Sequence, residues 1–213
     1  MTTRDTAAAL LDGYGRTYAE EAGVRLRDTP QPLYQLLVLS LLLSARIRAS
    51  VAVASARALF ADGLRTPRRM REATWQRRVD ALGRGGYRRY DERTATQLGS
   101  GAALLEEEYG GDLRRLRAAA GGDVGALRAG LRRVPGLGPV GVDIFLREAQ
   151  AVWPEAAPYL DAKALQGAER LRLPTDPARL ARLTDGHGPE ELAAALVRAA
   201  LREDVARDVL TRV

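Results

Sequence analysis

Apolar positions recur along the chain at helical spacing nearly from end to end. Leu10, Leu11, Tyr14 and Tyr18 stand three or four residues apart and predict a first helix over 6–22. Pro30 and Pro32 mark a new start. The leucines at 33, 36, 37, 39, 41, 42 and 43 then give a helix apolar on most sides, as the centre of a bundle requires. Further helices are expected over 50–60, after the Thr66-Pro67 start, over 74–82, about 87–109, 112–120, 123–133, 139–152 and 160–171. Asp176 and Gly188-Pro189 open two more, and the last runs from about Arg202 to the end. Glycine and proline punctuate these segments, at Asp62-Gly63, Gly110-Gly111 and Trp153-Pro154. Strand-like alternation is scarce, so the fold class expected is all-α. The run Gly83-Arg84-Gly85-Gly86 reads as a flexible joint beside Tyr87, Arg88 and Arg89, better suited to binding than to separating domains.

Composition narrows the classes. The chain has 213 residues, 46% hydrophobic and 28% charged, as in ordinary globular proteins. Its strongest apolar run, 36–43, is interrupted by Ser40 and falls far short of the roughly 18 residues of a membrane span. The first residues lack a basic stretch followed by an apolar one, so the expectation is a cytoplasmic protein. There is no cysteine, which excludes disulfides, thiolate zinc sites and cysteine-ligated iron–sulfur clusters. The single histidine, His187, lies between two glycines and is expected in an exposed loop. A formal charge of +6 favours an anionic partner, nucleic acid first. Arginine, alanine and glycine are abundant together, however, so a GC-rich genome accounts for the charge equally well.

Chemistry is most legible at Leu131-Arg132-Arg133-Val134-Pro135-Gly136-Leu137-Gly138-Pro139-Val140-Gly141-Val142. Pro135 ends one helix. Gly136 and Gly138 permit backbone angles other residues avoid, and Pro139 suits the first turn of the next helix. The amides of such a turn, with the positive end of the second helix, can hold a phosphate oxygen without reading sequence. Val134 and Leu137 would seal the turn. A plain Pro-Gly turn between packed helices is the alternative.

This segment resembles the hairpin of the endonuclease III superfamily, the helix-hairpin-helix DNA glycosylases. Three further stretches agree in order and approximate spacing. The run 32–45 is similar to the family's central buried helix, and 82–95 resembles its glycine-bearing turn and following helix. Tyr159-Leu160-Asp161-Ala162-Lys163-Ala164-Leu165 resembles the segment bearing its catalytic aspartate. The resemblance implies two helical lobes, 32–150 with the hairpin and 1–31 plus 151–213. It implies a monomer that binds double-stranded DNA at a lesion or mismatch, close to the nucleoid. A nucleotide would be flipped from the duplex, and Asp161 would stabilise the cationic sugar or activate water. Asp161 serves equally as an N-cap.

The sequence also departs from the family. Bifunctional members carry a nucleophilic lysine where this chain has Val140. The only lysine is Lys163, so a lyase would need Lys163 or the terminal amine. A monofunctional glycosylase is therefore expected, with a lyase or a non-catalytic DNA-binding protein as alternatives. Arg46 stands where relatives place a glutamine that fills the vacated base position. The resemblance makes Arg46, Arg84, Tyr87 and Arg88 candidate DNA contacts, with Val134, Gly136, Leu137, Gly138, Val140 and Gly141 from the hairpin. It implies a monovalent cation on the carbonyls of Arg132, Val134 and Gly136, and no other cofactor. Asp143 is expected to favour the start of its helix or to face the cleft. Gln35, Ser44 and Val140 are candidates to line the base pocket.

Overall fold

The computed structural model describes residues 2–184 and 186–212. Among them are fourteen α-helices, one short 3-10 turn and no strand, so the protein is all-α. In chain order the helices are α1 (Thr3–Tyr14), α2 (Tyr18–Glu21), α3 (Pro30–Leu43), α4 (Ala49–Ala61), α5 (Pro67–Glu72), α6 (Trp75–Arg84) and α7 (Asp91–Tyr109). They continue with α8 (Leu113–Ala119), α9 (Val124–Arg132), α10 (Pro139–Ala149), α11 (Ala162–Arg170), α12 (Pro177–Ala181), α13 (Pro189–Leu201) and α14 (Glu203–Thr211). No helix of the described residues is long and apolar enough to cross a membrane.

The chain divides into two compact units, Met1–Tyr18 with Leu146–Val213, and Ala19–Phe145. Compared with the expected lobes, 19–31 therefore belongs with the central unit and 146–150 with the terminal one. Charge is divided unevenly between them. The central unit carries 21 arginines against 14 carboxylates, and the terminal unit 12 basic residues against 13 acidic ones. The formal excess of positive charge thus belongs wholly to the central unit.

In that unit α3 is the core. Every residue from Leu33 to Leu42 is buried, and α4 and α8 pack against it. Ser40 is tolerated because its hydroxyl donates to the Leu36 carbonyl at 2.8 Å. Helices α5, α6 and α7 form a second layer of packing around Arg78, which is buried without a carboxylate. Its guanidinium donates instead to the carbonyls of Met70, Ala73 and Ala95, closing the open end of α5 onto α6 and α7.

Two sequence expectations are corrected here. The first helix breaks at Gly15, a poor helix former, and resumes as α2. The glycine run at 83–86 is not a loose joint. Gly83 and Arg84 complete α6, and Gly85 lies so close to α4 that a Cβ there would come within 2.2 Å of the Ser55 Cα. Gly85 provides close packing and Gly86 a positive φ of +87°, and α7 begins only at Asp91.

The terminal unit gathers Leu10, Leu160, Leu171, Leu180, Leu196, Val205 and Val209 into one core. The Tyr14 hydroxyl donates to Asp208 at 2.7 Å, joining α1 to α14. Helices α11 and α13 approach closely at Gly167, where a Cβ would lie 1.9 Å from the Leu196 carbonyl oxygen. This sets up a prediction of opposite sign to helix propensity. Alanine in a helix interior is favoured over glycine by about 1 kcal/mol. Forcing the two backbones apart costs about 3 kcal/mol, so Gly167→Ala should destabilise the protein by about 2 kcal/mol net. Urea denaturation checks this, and a stabilised variant would show that the crossing is not tight.

Candidate nucleic-acid interface and carboxylate site

The turn between α9 and α10 closes on itself. Val134 N–H donates to the Leu131 carbonyl at 3.1 Å, and Leu137 N–H donates to the Val134 carbonyl at 3.0 Å. Gly136 has φ +87°, and a Cβ there would meet the Gln97 side chain at 2.8 Å and Leu41 at 3.0 Å. Only glycine satisfies both the angle and the space. Gly141 lets the first turn of α10 settle against Leu137 and Ser44.

The amides of Gly136, Gly138, Val140 and Gly141 find no acceptor among the described residues. They are the donors that a phosphate oxygen needs. Val134 and Leu137 behave differently from the expected contacts. Both side chains are buried and both amides are bonded within the turn, so they shape the turn and donate nothing outward. Val140 is 58% exposed beside the free amides. The carbonyls of Arg132 and Gly136 accept no bond among the described residues, while that of Val134 accepts Leu137.

Two depressions lie on this unit and share Arg46. One, of about 670 Å³, is bordered by Arg46, Arg48, Arg88 and Arg89. The other, of about 380 Å³, takes in Arg46, Ser44, Arg93, Gln97 and Gly136 of the turn. All five arginines are exposed, and among the described residues none pairs with a carboxylate and no carboxylate borders either depression. Arg89 also stacks on the Tyr90 ring at 5.3 Å.

The arrangement brings Arg46, Arg88 and Gly136 together with Ser44 and Tyr87, but not the remaining sequence candidates. Tyr87 is 2% exposed and bonds Thr94 at 3.0 Å, so it forms part of the buried floor of the second depression. Arg84 is drawn to Asp62 at 2.9 Å. Asp143 pairs with Arg128 and ties α10 to α9, a structural use of its charge. Gln35 lies on a different depression from Ser44. Arg48 and Arg93 were not singled out by motif. Arg93 and Gln97, four apart on α7, share a helix face, a spacing visible in the sequence.

In the terminal unit Asp161 is the N-cap of α11, and its Oδ1 accepts Ala164 N–H at 3.0 Å. Its Oδ2 faces Arg147 Nε at 3.4 Å, with the two side chains only 11% and 8% exposed. That Nε is buried without a hydrogen bond. Gln150 positions the segment: its side chain accepts Tyr159 N–H at 2.7 Å and donates to the carbonyls of Tyr159 and Arg147. Arg147 and Gln150 escaped the motif reading, although they are polar residues interrupting an apolar helix. Lys163 is exposed and donates to Gln166 at 2.7 Å. His187 is half-buried rather than freely exposed, because Glu191 bonds both its ring and the Gly188 amide. Among the described residues no cluster of three or more metal-ligating side chains occurs.

No protein-family model matches the chain, and no curated protein matches it. Among solved structures, the chain is similar to a trapped covalent intermediate of endonuclease III with DNA, an estranged-adenine complex. The identity is 16% and the TM-score 0.48, over 93% of this chain and 86% of that one.

Proposed function

We propose that the protein binds duplex DNA through its phosphate backbone and excises a base without cleaving the strand. The observation that carries the binding is the set of five unpaired arginines around two depressions that share Arg46 and reach the Gly136 turn. Guanidinium groups left without carboxylates, beside backbone amides left without acceptors, suit a chain of phosphates. The free carbonyls of Arg132 and Gly136 are suitable donors for a monovalent cation that would steady the turn.

Excision is supported by the likeness of 159–165 to the glycosylase aspartate segment. In this reading the N-glycosidic bond breaks, the base leaves with the electron pair and a proton, and water adds at the sugar carbon. The Asp161 carboxylate stabilises the positive charge on the sugar. Val140 cannot act as a nucleophile, so the reaction stops at the abasic site. One observation favours a second reading, DNA binding without catalysis: Asp161 is already occupied by its cap and by Arg147.

The test is base release from duplexes carrying uracil, a mismatched thymine, an oxidised pyrimidine or an alkylated purine. The expected result is release from at least one duplex, with the strand intact until heated in alkali and no complex trapped by borohydride. Release from none supports the second reading. Trapping that Lys163→Ala abolishes would replace the proposal with a lyase.

A further inference from the structure

A third depression, of about 460 Å³, lies in the central unit at the opposite end of α3 from Ser44. It is bordered by Arg25, Arg27, Arg57 and Arg65, and no carboxylate lines it. Among the described residues Arg25, Arg27 and Arg57 have no side-chain partner, and Arg65 donates from Nε to the Phe60 carbonyl, which fixes its guanidinium in place. Asp28, the carboxylate nearest in sequence, pairs with Arg117.

Two observations mark this as a binding site and not merely a basic patch. Gln35 lies on its lining, 8% exposed, and its amide group has no hydrogen-bond partner. With no protein partner among the described residues, that amide group is free to bond whatever enters the depression. The positive end of the 14-residue α3 opens on the same place. Thr29 makes no side-chain cap, Pro30 and Pro32 have no N–H, and the Gln31 amide finds no acceptor. An uncapped helix start of this kind is arranged for an anion.

We infer that this depression binds a small ligand bearing a diphosphate group. The Gln31 amide and the Gln35 side chain hold one phosphoryl oxygen each, and the four guanidiniums take the remaining charge. A single phosphate engages too few of them. The site stands apart from the DNA face: Gln31 and Ser44 are separated along α3 by about 20 Å at 1.5 Å per residue. A diphosphate reaches the protein as inorganic pyrophosphate or on a nucleoside. Pro32 and Phe60 offer an apolar wall that only the nucleoside form would use.

Calorimetric titration of the full chain with pyrophosphate, and separately with ADP, tests this. One saturable site is expected, with the affinity order of the two probes naming the source. An Arg25→Ala, Arg57→Ala double variant should bind about a hundredfold more weakly, and Gln35→Leu about tenfold more weakly. Both variants should keep the parent's helical circular dichroism. An Arg46→Ala, Arg88→Ala variant should bind as the parent does, and a short duplex should not displace the probe from it. Absence of saturable binding overturns the inference. So does equal loss in the Arg46 and Arg88 variant, or displacement by duplex, because each would assign the anion to the DNA face.

Discussion

An Arg46→Ala, Arg88→Ala double variant is expected to bind undamaged duplex DNA about a hundredfold more weakly than the parent chain, with a salt dependence shallower by about two charges. The figure follows from the chemistry of the surface. Each guanidinium that replaces counterions on a phosphate contributes about one unit to the salt slope. Each charge-assisted bond contributes about 1.5 kcal/mol, near a factor of ten. These arginines border one depression and have no carboxylate to release first, so no internal ion pair offsets the loss. Arg68→Ala is a fair contrast, because Arg68 is already paired with Glu72. The Arg25→Ala, Arg57→Ala variant is a second, since it removes the same charge elsewhere in the same unit. Fluorescence anisotropy across a salt series measures all three. If the three variants lose affinity alike, the DNA responds only to net charge and the proposed face is wrong. The loss should also be the same for every duplex sequence, because these contacts position the protein without reading bases.

The sequence disclosed some levels of this organisation and not others, for physical reasons. Helix type was legible throughout, since the leucine run of α3 and the Pro135–Pro139 turn impose local rules that tertiary contacts do not override. Helix ends were less legible. The period of apolar residues continues across Gly15 and from Tyr87 into α7, whereas the backbone does not. Tyr87 shows that position alone does not give exposure: a polar aromatic beside two arginines is 2% exposed and sits in the floor of a depression. Gly85 misleads in the other direction, because sequence cannot distinguish a glycine needed for motion from one needed for close packing. The basic surface was half legible. Arg46 and Arg88 follow from motif position, but their union with Arg48 and Arg93 depends on how α3, α4 and α7 pack. The Arg147–Asp161 contact lies beyond any local pattern, being set by the Gln150 bonds that fold the following loop back.

That contact makes Asp161→Asn the most informative substitution in the terminal unit. Base release is expected to fall by about a thousandfold, the scale on which removing a preorganised charge from a reaction centre acts. Duplex affinity should stay within about twofold, since Asp161 is not among the phosphate contacts. The difficulty is that the same change alters a buried ion pair. Asparagine still accepts the Ala164 amide, so the cap survives. The charge facing Arg147 does not. Breaking a well-made buried pair costs about 3–5 kcal/mol. This one is 3.4 Å apart and leaves Arg147 Nε without a hydrogen bond. A loss of about 2 kcal/mol is therefore expected, below that range because the geometry is poor. Adding Arg147→Met separates the two roles, because it removes the uncompensated cation while keeping much of the side-chain volume. Stability should then recover in the double variant, and base release should not. Measured well below the unfolding midpoint, a double variant that regains both would identify Asp161 as a structural cap. Base excision by this chain would then have to run without the Asp161 carboxylate, whose catalytic role would be abandoned.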